Sequence, residues 1–161
     1  MITKIVSGGQ TGADRAALDV AIAIGIPHGG WCPKGRLAED GTIDPKYHLN
    51  ETPASEYSQR TEWNVRDSDA TVIFSIKPIL DGGSKSTAEL AQKLKKPWLH
   101  LSAEKEASSA VKKLSAFFTE YQIRTLNVAG PRLSEEPCIA EFVTRVLEAE
   151  ICRRGRGPRV K

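Results

Sequence analysis

Cysteine is scarce in this 161-residue chain and badly placed for bridging: Cys32, Cys138 and Cys152 are odd in number and far apart. No Cys-x-x-Cys pair occurs, which argues against a disulfide framework and a structural zinc site. Histidine is as sparse, with His28, His48 and His100 scattered, and no metal-ligand motif emerges. There is no apolar run of about 18 residues to span a bilayer. The opening "MITKIVSGG" reads as a short strand, not a secretory signal. A cytoplasmic protein with no membrane partner is expected. Charge of one sign is also lacking: a formal +3 is too little to imply a nucleic-acid partner. Much of that excess sits in "RRGRGPRVK", residues 153–161. This stretch reads as a basic flexible tail following a single domain over residues 1–152. No repeat, linker or second domain is visible.

What remains is an ordinary core-forming chain. It is long enough to bury about two-thirds of its unfolded surface and so to fold without covalent staples. Residues 2–7 are short, β-rich and end in glycine. Residues 13–24 are apolar nearly all round, as in a helix buried on most sides, and Gly25 with Pro27 stops them. "HGGWCPKGRLAEDG" reads as loop. A helix is expected over 55–66, then a strand at 70–76, a continuous apolar run suited to burial on both faces. Further helix is expected from Ser86 to Lys95, and strand over 98–101. Val111, Leu114, Phe118 and Tyr121 share a helical face, and "TLNVA" is a strand. Ser134 with Glu135 and Glu136 resembles a cap and first turn, ahead of a helical face of Ile139, Phe142, Val143, Val146 and Leu147. Strands alternating with helices predict an α/β, Rossmann-like three-layer sandwich: a mostly parallel sheet with helices on both faces.

In such folds ligands bind beyond the carboxyl ends of the strands. Three glycine-bearing loops should emerge there. "GGQTG" follows the first strand, "DGGSKST" the buried strand and "AGPR" the last. Alone, each is also what a plain structural turn looks like; the first two do not fit the spacing of a Walker A loop, and the first does not fit a dinucleotide fingerprint either. Together they suggest a site for a phosphorylated ligand, with glycines admitting a phosphate to free amides at a helix start. The candidate residues are Gly8, Gly9, Gln10, Thr11, Gly12, Asp14 and Arg15 in the first loop and helix start. Gly82, Gly83, Ser84, Lys85, Ser86 and Thr87 are the candidates in the second, and Gly130 and Arg132 in the third. Arg60, Asn64 and Asp67 fall near one helical face. Glu89 lies in the first turn of the next helix.

"SGGQTGADRAALD", "IPHGGWCPKGR", "AEDG", "QRTEWNVRDSDAT" and "NVAGPR" together resemble the molybdenum-carrier family, also described as the circularly permuted YpsA-like branch of the SLOG superfamily. The resemblance runs from Ile5 to about Val146 and implies a Rossmann-like fold. It also implies kinship with LOG-type phosphoribohydrolases, which cleave the N-glycosidic bond of nucleoside monophosphates. Their hallmark is an arginine on the helix before a strand, then Pro-Gly-Gly-x-Gly-Thr-x-x-Glu after it. Here Arg60, Gly82, Gly83 and Glu89 match, whereas Asp81, Lys85 and Ser86 depart. Catalysis would fall to Glu89 and Arg60, with the carboxylate stabilising charge at the ribose. Carriage of molybdenum cofactor, a phosphorylated pterin cargo, needs no catalytic base. It would draw charge from Lys34, Arg36, Lys85 and Arg132, and the metal would arrive with the cargo. A sensor of nucleotide-derived signals is a third expectation. Trp31 either stacks on a ring or pins its loop, and Cys32 is either near the ligand or a structural thiol. Relatives of this fold commonly pair through helices, so a homo-oligomer is expected.

Overall fold

The structure is a computed structural model and describes residues 1–155. In chain order its elements begin with β1 (Lys4–Val6), α1 (Ala13–Ile24), β2 (His28–Gly29), β3 (Trp31–Cys32), β4 (Leu37–Ala38), β5 (Gly41–Thr42) and β6 (Asn50–Glu51). They continue with α2 (Tyr57–Arg66), β7 (Ala70–Ser75), α3 (Gly82–Lys93), β8 (Trp98–Ser102), α4 (Ala103–Glu106), α5 (Ala110–Glu120), β9 (Thr125–Ala129) and α6 (Ile139–Gly155).

The central sheet has five strands in the order β2-β1-β9-β7-β8, and every neighbouring pair is parallel. β9, the last strand among the described residues, thus sits in the middle of the sheet, between β1 and β7. Side-chain alternation splits the interior into two sides. Ala70, Val72 and Phe74 of β7, with Leu126 and Val128 of β9, join the large core formed by α1, α5 and α6. The alternate residues Thr71, Ile73 and Ser75 are equally buried and turn to the opposite face, where α2 and α3 pack on each other. The expected Rossmann-like α/β sandwich is therefore present. The α1 stop is present too: Gly25 adopts a left-handed conformation, and its amide returns to the Ala21 and Ile22 carbonyls. Among the described residues no helix is long and apolar enough to cross a membrane.

Several boundaries differ from the sequence reading. α3 begins at Gly82, not Ser86, because the Ser86 and Thr87 hydroxyls bond back to the Gly82 and Gly83 carbonyls within an already formed turn. Ser134 does not cap α6, which starts at Ile139. Its hydroxyl goes to the Glu39 carboxylate instead, and Glu136 accepts the Ile76 amide at 2.5 Å. The stretch read as loop, His28 to Gly41, contributes strands to two short ribbons, β3 with β6 and β4 with β5. They cover a second core of Leu18, Cys32, Ile43, Tyr47 and Leu49. Arg36 holds this layer by donating to the carbonyls of Ile43, Asp44, Tyr47 and Leu49. A structural clamp therefore occupies the residue expected to supply ligand charge. At the C-terminus α6 continues through Arg153 and Arg154, which pair with the fully buried carboxylate of Glu150. Residues 156–161 of the expected tail lie outside the described residues.

Candidate functional site

A cavity of about 150 Å³ opens at the carboxyl edge of the sheet. Gly8 after β1, Asn127 to Gly130 at the end of β9, and the start of α3 form its floor and one wall. The N-terminal half of α2 forms the other wall, with Tyr57, Arg60, Thr61 and Asn64. Because α2 runs into the buried β7, its first turns must lie at this edge. The three glycine-bearing segments do meet here, at the point where strand order reverses around β9. They contribute unequally.

The first segment is closed by its own chain. Gly8, Gln10 and Asp14 line the cavity; Gly9, Thr11, Gly12 and Arg15 do not. A Cβ at Gly12 would lie 2.5 Å from the Pro131 carbonyl oxygen, and φ there is +80°. One at Gly9 would lie 2.5 Å from Leu49 Cδ1. These glycines serve close packing, not an open cradle. The Ala13 amide donates to the Pro131 carbonyl at 3.2 Å, and the Arg15 amide to the Gln10 carbonyl at 3.2 Å. The Thr11 hydroxyl donates to Glu39 and accepts the Leu133 amide. Its hydrogen bonds with Ser134 and Thr11 hold the exposed Glu39 carboxyl below the usual range. Arg15 is tied to Asp40 and to the Gly9 carbonyl.

The second segment is open. Asp81, the residue before α3, makes no side-chain cap, and the first intrahelical bond runs from the Lys85 amide to the Asp81 carbonyl. The leading amides of Gly82, Gly83 and Ser84 are therefore left facing outward. A Cβ at Gly82 or Gly83 would meet nothing within 4 Å. Gly83, Ser84 and Thr87 line the cavity; Gly82, Lys85 and Ser86 fall outside its lining. Lys85 and Glu89 lie on the outer face of α3, 65% and 63% exposed, in an i,i+4 contact at 4.0 Å. Glu89 is thus not among the cavity residues.

Charge in the cavity comes from elsewhere. Arg60 donates to the Gly8 carbonyl at 2.9 Å and approaches Asp14 at 3.4 Å. Both side chains are nearly buried, at 11% and 9% exposure. A Cβ at Gly8 would lie 1.9 Å from Arg60 Nη1, so glycine there makes room for the guanidinium. Burial pushes the Asp14 carboxyl above its usual range despite the pull of Arg60 and the Gln10 amide. The third segment supplies Gly130 and Arg132. A Cβ at Gly130 would lie 2.6 Å from both Ala13 Cβ and the Phe74 carbonyl oxygen. This glycine seals the junction of β9, α1 and β7. Gln10 adds an unusual feature: its Oε1 accepts two amides, but its Nε2 is a buried donor without a partner among the described residues.

Sequence reading missed Tyr57, Thr61, Asn127 and Glu135 in the lining. Nothing but the fold brings them to one edge. Tyr57 lies between the guanidiniums of Arg60 and Arg132, 5.3 Å and 5.5 Å from its ring centre. Asn64, on the expected face, lines the cavity and also clamps the Trp31 backbone through both amide groups. Asp67 turns away to accept the Trp31 indole N–H. Trp31 is therefore pinned, edge-on to Trp63. Cys32 is fully buried in the second core, where burial raises its thiol pKa. Lys34 is exposed and outside the lining. Among the described residues no group of histidines, cysteines and carboxylates is placed to hold a metal ion.

The pattern of the family described as "Circularly permutated YpsA SLOG family" matches residues 5–151. A crystal structure of a protein from Syntrophus aciditrophicus SB, named "Putative molybdenum carrier protein", superposes with a TM-score of 0.91. The two sequences are 49% identical over 93% of this chain and 95% of that one. No curated protein matches the chain. A family pattern spanning nearly every element of the sheet, together with that close structural relative, shows that the chain belongs to the circularly permuted YpsA branch of the SLOG family.

Proposed function

We propose that this protein binds a phosphorylated, nucleotide-like small molecule in the cavity at the carboxyl edge, as a carrier and without turning it over. One observation carries the reading: Gly83 and Ser84, at the start of a helix that no side chain caps, and two arginines, Arg60 and Arg132, line a single cavity. Oriented amides at a helix start and guanidinium groups are the donors that phosphate oxygens select. The unpartnered Nε2 of Gln10 adds a donor waiting for an acceptor. The name of the Syntrophus relative makes molybdenum cofactor the first cargo to consider. The volume of about 150 Å³ in this open pocket is near that of a cavity that holds benzene. It suits the phosphate end of such a molecule, with the remainder projecting past Tyr57.

The position of Glu89 supports binding over N-glycosidic hydrolysis. A carboxylate that stabilises a ribosyl cation must touch the ribose, and Glu89 is on the outer face of α3. Asp14 is inside but buried and committed to Arg60. The test pairs native mass spectrometry, with molybdenum cofactor and nucleoside 5′-monophosphates, with a base-release assay on the same nucleotides. Stoichiometric complexes without released base are expected. Base release that disappears in Glu89→Gln would overturn the carrier reading.

A further inference from the structure

The cavity's two arginines are held in different ways. Arg60 is fixed by the Gly8 carbonyl and by Asp14, with little exposure. Arg132 is 34% exposed, and its partner is Glu135, 56% exposed and three residues on. The Glu135 carboxylate lies 3.7 Å from Arg132 Nε and accepts the Arg132 backbone amide at 3.3 Å. Both residues line the cavity. A guanidinium and a neighbouring backbone N–H are the pair of donors a phosphate would take. Here a carboxylate of the chain rests on them, at distances too long for a tight pair. A half-exposed ion pair of this kind is worth little, so exchange is cheap. The turn itself does not depend on the carboxylate, because the Glu135 and Glu136 amides close it on the Arg132 carbonyl.

We infer that Glu135 is an internal anion that an incoming phosphate displaces from Arg132, and that this exchange makes the site selective for phosphomonoesters over phosphodiesters. The inference rests on the cavity being a phosphate site. The lining charges of Asp14, Glu135, Arg60 and Arg132 cancel, so the cavity offers no surplus cation. An anion must outbid a tethered carboxylate of single charge. A monoester, carrying about −2 above its second pKa near 6, can do so; a diester of charge −1 meets its equal. Glu135 is thus a specificity-determining residue that acts through Arg132.

The experiment compares AMP with the methyl ester of its 5′-phosphate, same base and same sugar, by calorimetry at pH 8 on wild type and Glu135→Gln. Wild type should prefer AMP by about tenfold or more, the order of one well-placed charged contact. In Glu135→Gln the diester should bind more tightly and the preference should shrink several-fold. Arg132→Ala should weaken AMP and leave the diester nearly unchanged. A selectivity ratio unaltered by Glu135→Gln, with AMP still bound, would overturn this inference alone. AMP bound by neither protein would overturn it together with the phosphate-site reading beneath it.

Discussion

α1 and α3 begin in the same kind of sequence, glycines and hydroxyls at the end of a parallel strand, yet their starts do opposite things. At α1 each glycine answers to a neighbour: Gly8 to Arg60, Gly9 to Leu49, Gly12 to the Pro131 carbonyl. The amides there are spent on Pro131 and Gln10. At α3 no neighbour among the described residues crowds Gly82 or Gly83, and no side chain caps the helix. A glycine-rich helix start is therefore ambiguous until its surroundings are known. Glycine permits close approach, but the thing approaching can be the protein's own backbone or a ligand.

The contrast is sharpest at the most crowded position. Gly12→Ala combines a left-handed φ with a backbone clash, and the expected loss is about 4 kcal/mol, read as a melting point roughly 10 °C lower. A Gly12→Ala variant melting like wild type would break the comparison. Arg60→Ala comes next, since it leaves the buried Asp14 carboxylate unpaired. About 3 kcal/mol should be lost in a denaturant titration. Gly83→Asp puts a carboxylate among the open amides of α3. A first-turn acid suits the helix dipole, so stability should hold within about 1 kcal/mol. AMP affinity should fall at least tenfold, about 1.4 kcal/mol, by calorimetry.

Smaller effects refine the picture. The Asp14 carboxyl titrates above its ordinary 3.8 in the folded chain. Its contribution to stability is complete below that unfolded value and is lost as pH rises through the folded one. Asp14→Asn removes this titration. Whatever its fixed cost, the variant should gain on wild type as pH rises from about 4 towards neutrality, measured as paired melting curves. The smallest change is expected from Glu89→Gln: stability within about 0.5 kcal/mol and AMP binding within twofold.

Much of the frame was readable because it rests on local physics. The bounds of α1 and β9 follow from an apolar helical run closed by Gly25 and from a short β-rich run. The convergence of the three segments follows from parallel strands alone. The division of labour between them was not readable. That Pro131 would fill the α1 start, and that Arg36 would spend its donors on four carbonyls, are tertiary facts without a local signature. Glu89 stands three places beyond Ser86, where the sequence reading started α3. The true start at Gly82 moves Glu89 beyond the first turn, onto a side chain's outward course. Tyr57 and Glu135 escaped notice because ordinary surface residues become site residues only when α2 and the turn after β9 meet.

The difference between the two helix starts can be read directly from backbone amide shifts in a ¹⁵N-labelled sample titrated with AMP. Saturable shifts at Gly82, Gly83 and Ser84, with Ala13 and Arg15 moving little, are the result this account predicts. Saturable shifts centred on Gly12 to Arg15, with the α3 amides unmoved, would contradict it.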